Sequence, residues 1–302
     1  MEEKKIGFIG FGEVGKTFAR EMRTRGAEVY YYDVIGKQPG VDVPFLPLPE
    51  LISTCGILLS TVSTHVAVDA AKEASAFLSS GKIYADMNST SASVKKNIAA
   101  VIGKSGASFV EGAILSLVAE TGPRASILVA GPEAEAFSGL MNRYGLVNLK
   151  YFSPRIGEAS VVKMIRSVFS KGVECLLLEM LIAGRRAGVE EYLWKDIVDF
   201  MTRNPFRTVA ENWIKSHPRA CERRYHEMVQ VVETLEDLNV PPTMTRGTEE
   251  FFRRSVEMGL ASRGGKKPDD FREVPEAIER GLQAGPERQD ERKKTAKEVR
   301  VK

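Results

Sequence analysis

Short apolar runs alternate with amphipathic stretches along the first half of the chain, the pattern of parallel strands joined by crossover helices. Residues 6–9 read as the first strand, an amphipathic helix follows from about Glu13 to Arg25, and residues 28–32 form the second strand. A buried-type run over 56–62, strands over 82–87, 108–112 and 126–130, and a strand near Lys150-Tyr151 extend the sheet. Helices are expected over 66–77, 91–102 and 133–144. After Gly157 the texture changes: apolar residues recur at helical spacing from Ala159 to Ile182, giving a helix longer than any before it. Turn signals at Pro205, Pro218 and Pro241-Pro242 separate further helical segments up to about Arg263, and no strand is expected there. The fold class is therefore α/β, an N-terminal doubly wound parallel sheet followed by an all-α C-terminal domain. The expected division is 1–155 for the sheet domain, 156–284 for the helical domain and 285–302 for a charged, disordered tail.

Composition adds bounds to this picture. With 302 residues, 43% hydrophobic and 27% charged, the chain is long enough for two domains with a core each. The net charge of +3 comes from the end of the chain. From Pro286 onward seven basic residues (Arg288, Arg292, Lys293, Lys294, Lys297, Arg300, Lys302) face four acidic ones (Glu287, Asp290, Glu291, Glu298), so the rest is near neutral. That is not the basic face of a nucleic-acid reader. Cys55, Cys175 and Cys221 show no CxxC or Cys/His spacing, so neither a disulfide framework nor a metal site is expected. The charged start, Met1-Glu2-Glu3-Lys4-Lys5, has no apolar signal region, and no apolar run has membrane-spanning length. A cytoplasmic protein without membrane or nucleic-acid partners is expected.

The first candidate site is Gly10-Phe11-Gly12-Glu13-Val14-Gly15. A bare GxGxxG is a weak signal, but here a strand precedes it and a helix follows. Gly10 permits the tight turn, Gly12 lets backbone approach a pyrophosphate, and Gly15 lets the helix pack closely on the sheet. The helix N-terminus offers unpaired N–H groups to the phosphates. Asp33 closes the second strand about twenty residues beyond the first glycine, where a carboxylate accepts hydrogen bonds from the ribose 2′-hydroxyl and repels a 2′-phosphate. This spacing predicts a Rossmann domain that binds NAD. Lys37, nearby, would suit a 2′-phosphate, so NADP stays open.

With these motifs in place, the chain resembles the β-hydroxyacid dehydrogenase superfamily, which includes 6-phosphogluconate and 3-hydroxyisobutyrate dehydrogenases. The resemblance runs from Ile6 to about residue 260 and is nearest to a phosphogluconate-dehydrogenase-like branch. Thr61-Val62-Ser63 falls where the family's loop passes the cofactor ribose, and Asp86-Met87-Asn88-Ser89-Thr90-Ser91 is similar to the segment near the nicotinamide. The resemblance thereby implicates Thr61, Val62, Ser63 and Asn88 in cofactor binding. Gly157-Glu158-Ala159-Ser160-Val161-Val162-Lys163 is similar to the family's Gly-x-Gly-x-x-x-Lys, which implies that Lys163 is the catalytic lysine. Oxidising an alcohol requires removal of the hydroxyl proton, and a desolvated lysine can take it. Ala159, Val162, Met164 and Ile165 surround Lys163 with apolar side chains.

The remaining motifs depart from the family. Glu111-Gly112-Ala113-Ile114-Leu115-Ser116-Leu117 occupies the place of the substrate-binding Asp-Ala-Pro-Val-Ser-Gly-Gly, with Leu115 for serine and Ser116-Leu117 for the glycine pair. Ser116 is kept as a substrate contact in a changed pocket. Ser167 stands at the offset of a substrate-binding asparagine. Arg166 supplies a charge able to recognise a carboxylate or phosphate, pointing to a small, anionic substrate. His226-Glu227-Met228 aligns with a Lys-Asp-Leu whose lysine approaches the cofactor. The implied function is hydride transfer between a nicotinamide cofactor and a hydroxy acid or related polar alcohol, with Lys163 as general acid and base. An imine reductase-like enzyme and a non-catalytic NAD(P)-binding sensor or assembly protein are the competing readings. The resemblance also implies a homodimer formed through the helical half.

Overall fold

The computed structural model describes residues 5–260 and 267–283; the expected charged tail, 285–302, lies outside them. The chain divides into two compact units, Met1–Val168 and Phe169–Lys302.

In the first unit, β1 (Ile6–Ile9), α1 (Glu13–Thr24), β2 (Val29–Tyr32), α2 (Leu48–Thr54), β3 (Ile57–Ser60), α3 (Ala67–Ser75), β4 (Ile83–Asp86), α4 (Ala92–Gly103) and β5 (Ser108–Ile114) succeed one another. Then come α5 (Val118–Thr121), β6 (Ile127–Ala130), α6 (Ala134–Arg143), β7 (Leu149–Ser153) and α7 (Glu158–Ala187), which continues into the second unit. The seven strands form one sheet in the order β2-β1-β3-β4-β5-β6-β7. Apolar side chains cover both its faces. One layer holds Phe8, Phe18, Met22, Leu59 and Phe137, the other Ile9, Leu51, Leu58, Tyr84 and Ile98. Each such side chain contributes roughly 1.5–3 kcal/mol when fully buried. This two-sided burial is why the strands read as continuous apolar runs.

Three features differ from the sequence reading. First, β6 runs antiparallel to β5 in an otherwise parallel sheet. The connection 115–126 folds back on itself, with the Leu115 N–H donating to Ser126 O at 2.7 Å, so the chain reverses instead of crossing over. Second, α2 was not anticipated; its short apolar stripe, Leu48, Leu51 and Ile52, is buried. Third, the units divide after Val168, within α7, and not near residue 155. Ala159 and Ser160, at the start of α7, are buried with the sheet unit, so the texture change at Gly157 marks the start of a helix and not the edge of a unit.

The second unit is helical throughout its described residues: the rest of α7, α8 (Glu190–Arg203), α9 (Phe206–Asp237), α10 (Thr243–Glu257) and α11 (Glu273–Gln283). Pro218 does not break the chain as expected; α9 runs through it. A proline costs the helix one backbone hydrogen bond. Here it lies on the buried stripe with Val209, His217, Cys221, Val232 and Leu235, and that packing holds the helix together across the missing bond. Glu179 of α7 caps α10: its carboxylate accepts the N–H groups of Met244 at 2.8 Å and Thr245 at 2.9 Å, and the Thr245 hydroxyl at 2.6 Å. These satisfy donors that a helix start leaves unpaired. No helix among the described residues is long and apolar enough to cross a membrane.

Candidate functional site

The strand order places β1 between β2 and β3, with connections leaving in opposite directions. Such a switch point opens a crevice at the carboxyl ends of the strands. At the end of β1, Gly10 takes φ +83°, and a Cβ there would stand 2.7 Å from Val62 Cγ1 and 3.0 Å from the Thr61 carbonyl carbon. The Thr61 hydroxyl donates to Gly10 O at 2.6 Å, tying the ends of β1 and β3 together. A Cβ on Gly15 would lie 3.0 Å from Gly10 O, whereas one on Gly12 would meet nothing within 4 Å. The turn is therefore tight below and open above. No side chain caps α1, so its first N–H groups are available to an anion.

A cleft of about 370 Å³ lies over this turn, lined by Gly10, Phe11, Gly12, Asp33, Thr61, Val62 and Ser63. Seven of the expected cofactor residues are thus brought together. Glu13, Val14, Gly15 and Asn88 do not line it. Val14 packs against the core, and Gly15 acts through close packing. The Phe11 ring stacks on Tyr31 at 4.1 Å between centroids, so this residue presents backbone to the cleft. Asp33 makes contacts that the sequence did not suggest. Its carboxylate accepts the N–H groups of Phe11 at 2.7 Å and Ile35 at 3.2 Å, which clamps the glycine turn to the end of β2. Gln38, which sequence reasoning missed, bridges Phe11 O at 3.2 Å and Asp33 Oδ2 at 3.4 Å. Only its place in the loop after β2 marked it. Lys37 is exposed.

A second cluster forms at the ends of β4 and β5. Lys163 Nζ donates to Ser89 Oγ, joining α7 to the turn after β4. Burial, reinforced by the positive charge of Lys95, pulls the Lys163 pKa down from 10.5 to about 8. Asn88 is buried; its side chain donates to Ser60 Oγ at 3.0 Å and to Asp86 Oδ1, and its N–H donates to the same carboxylate at 3.0 Å. Asn88 therefore braces the turn that carries Ser89. Thr90 Oγ1 is buried with no partner. The Glu111 carboxylate accepts the N–H groups of Gly157 and, at 2.6 Å, Ser160, pinning the first turn of α7 to β5. Charge-assisted bonds of this kind contribute about 1.5–3 kcal/mol each. Glu111→Ala should accordingly destabilise the protein by about 3 kcal/mol or more, measured by denaturant unfolding; a loss below about 1 kcal/mol would refute the pinning role.

The three expected substrate contacts are all engaged with the protein's own backbone. Ser116 Oγ accepts the Ser126 N–H at 3.0 Å. The Ser167 hydroxyl donates to Lys163 O within α7 at 3.0 Å. Arg166 Nη1 donates to Leu115 O, which leaves four of the guanidinium's five N–H donors for other partners. His226 is exposed on α9 of the helical unit, its ring 5.2 Å from Tyr225. Among the described residues no group of three or more His, Cys, Asp or Glu is arranged to hold a metal ion.

Comparison with known proteins fits this geometry. Residues 5–141 match the NAD binding domain of 6-phosphogluconate dehydrogenase, and residues 185–255 match a domain of unknown function (DUF1932). A solved structure of a conserved protein of unknown function, described as structurally similar to 3-hydroxyacid dehydrogenases, is 33% identical. It covers 84% of this chain and 99% of its own, with a TM-score of 0.56. The 2-(hydroxymethyl)glutarate dehydrogenase of Eubacterium barkeri is 24% identical over 85% of this chain and 90% of its own. The imine reductase of Myxococcus stipitatus, in a variant bound to NAD+, is 15% identical over 91% of this chain and 99% of its own, with a TM-score of 0.73. This last likeness is one of fold. The N-terminal unit is an NAD-binding domain, and its glycine turn and cleft fit a dinucleotide.

Proposed function

The chain belongs to the β-hydroxyacid dehydrogenase superfamily, and from that premise we propose that it is an NAD-dependent oxidoreductase acting on a small hydroxy acid or related polar alcohol. One observation carries the reading: Lys163, half-buried and hydrogen-bonded to Ser89, has a pKa lowered to about 8. A base working near neutral pH needs a pKa close to that range. A surface lysine would not have it.

When bound, the cofactor supplies the nicotinamide that accepts hydride in alcohol oxidation and donates it in carbonyl reduction. The glycine turn and the N-terminus of α1 would hold its pyrophosphate, and Asp33 its adenine ribose. Lys163, as free amine, takes the proton from the substrate hydroxyl; as ammonium, it returns that proton to the carbonyl oxygen. Ser89 Oγ, held on the turn that Asn88 braces, orients the Lys163 amine between these two states. The four remaining donors of Arg166 suit a substrate carboxylate. Ser116 and Ser167 would contact a substrate only by giving up their backbone partners.

A proton-transfer lysine favours alcohol and carbonyl chemistry over imine reduction, and it would have no task in a protein that only binds nucleotide. The exposed apolar side chains of the helical unit, among them Phe169, Leu178, Tyr192 and Trp194, support a homodimer formed through those helices. The direct test is to offer a panel of small hydroxy acids with NAD+ and with NADP+, following reduced nicotinamide by absorbance. Turnover with NAD+ of at least one 3-hydroxy acid is expected. Tight NADH binding with no turnover of any hydroxy acid or carbonyl partner would sink the enzymatic reading.

A further inference from the structure

Lys95 takes no direct part in the proposed proton transfer, yet it is among the largest fully buried side chains of the described residues. It stands on α4, whose inward face carries Lys95, Ile98 and Ile102. Its Nζ donates to Asp86 O at 2.7 Å and to Gly112 O at 3.1 Å. The third neighbour is Asp86 Oδ2 at 3.3 Å, an oxygen that accepts no well-aligned hydrogen bond but forms an ion pair with Lys95. Three acceptors around one nitrogen match the three donors of an ammonium group.

A charged lysine is expensive to bury, and a paired one does not stabilise a fold more than a well-packed apolar residue would. Its burial at the ends of two strands therefore asks for a role other than stability. Asp86 is the last residue of β4, and the turn with Asn88 and Ser89 begins immediately after it. Gly112 lies one residue after Glu111, whose carboxylate pins the start of α7. Lys95 thus sits between the support of Ser89 and the support of Lys163.

We propose that Lys95 is a positioning residue for Lys163: its buried ammonium joins the ends of β4 and β5, fixing the Ser89 turn against α7 and setting a positive charge toward the Lys163 amine. The inference rests on the reading of Lys163 as the proton-transfer residue and adds what holds and tunes it. Among the described residues, the positive charge of Lys95 acts on Lys163 and, after burial, favours its free amine. The groups facing Lys95 are Asp86 on β4 and Glu111 on β5; both favour its ammonium form, against the effect of burial, which lowers its pKa. Its neighbour Lys96 on α4 is exposed.

The test needs no substrate. Labelling with an amine-selective reagent across a pH series, read by peptide mass spectrometry, gives the titration midpoint of Lys163. Wild-type protein should show a midpoint near pH 8. Lys95→Met alone would leave the Asp86 carboxylate unpaired, so the working variant is Lys95→Met with Asp86→Asn, which removes both charges. Its Lys163 midpoint should rise by up to about one pH unit, and NADH binding at the glycine turn, read alongside, reports that the variant is folded. Lys95→Gln with Asp86→Asn keeps two N–H donors for the two carbonyls and carries the test if the first variant does not fold. It should show the same raised Lys163 midpoint. A wild-type midpoint in either folded variant, with NADH binding intact, overturns the proposal. A shifted midpoint in a protein that turns over no hydroxy acid would leave this inference standing and remove the proposed function instead.

Discussion

Lys163→Met should lower hydroxy-acid oxidation by about 10³-fold, the middle of the range for losing a positioned general base, while NADH binding stays within a few-fold of wild type. Methionine keeps the length and apolar stem of the side chain and removes only the titrating amine. The pH dependence gives a sharper check. Oxidation requires the free amine, so its rate should rise with pH through about 8 and level off above. Carbonyl reduction requires the ammonium and should fall over the same interval. The methionine variant should lack this inflection in both directions. In the methionine variant, stability should move the opposite way from activity. The folded-state pKa lies below the ordinary value of 10.5, so between about pH 8 and 10.5 the unfolded chain holds a proton that the folded one has lost. Stability from this group therefore rises with pH across that window, and below it the buried charge is a constant cost. Removing the amine should stabilise the protein at neutral pH by on the order of 1 kcal/mol, a stabilisation of the size that often accompanies lost function. A variant that keeps full activity, or the wild-type pH inflection, would remove Lys163 from the chemistry.

Much of this site is legible from the sequence because it follows from backbone needs. A tight turn and a close helix approach require glycine at 10 and 15, and the strand-turn-helix order around them can be read from hydrophobic spacing. Lys163 was singled out by the resemblance of its segment to the family's Gly-x-Gly-x-x-x-Lys, with apolar neighbours beside it. Lys95 was not found, although its signal was present: Lys95, Ile98 and Ile102 share one face of α4, and a lysine on an apolar stripe is either buried or misplaced. Asp33 was seen as a ribose acceptor, but its clamp on Phe11 and Ile35 was not, because a carboxylate bonded to backbone two residues on and twenty-two residues back leaves no residue pattern. Ser116 and Ser167 have hydroxyls whose partners are backbone atoms, and sequence does not tell whether a serine faces its own chain or a ligand. The reversal into β6 and the passage of α9 through Pro218 are tertiary outcomes. Each depends on what the segment packs against, which local propensity does not encode.

Asp33 gives the second large effect, and its two tasks can be separated. As ribose acceptor, the carboxylate should favour NADH over NADPH; as clamp, it should hold the glycine turn for either cofactor. Asp33→Ala removes both. A charge-assisted hydrogen bond to a ribose hydroxyl is worth about 1.5–3 kcal/mol, which corresponds to roughly a 10- to 150-fold loss of NADH affinity. NADPH affinity should not rise in this variant, because the Phe11 N–H is left without its partner and the turn loosens. Asp33→Asn keeps one acceptor oxygen for the Phe11 N–H and removes the negative charge. Its NADH affinity should fall by less, while its NADPH affinity rises, since nothing then repels a 2′-phosphate and Lys37 stands nearby. Paired fluorescence titrations of the two reduced cofactors against wild type and both variants would measure this. If each variant weakened NADH and NADPH equally, alanine more than asparagine, the clamp would be the whole of the residue's role and the preference for NAD would lie elsewhere. If alanine improved NADPH binding as much as asparagine did, the clamp would be dispensable and charge alone would set the choice of cofactor.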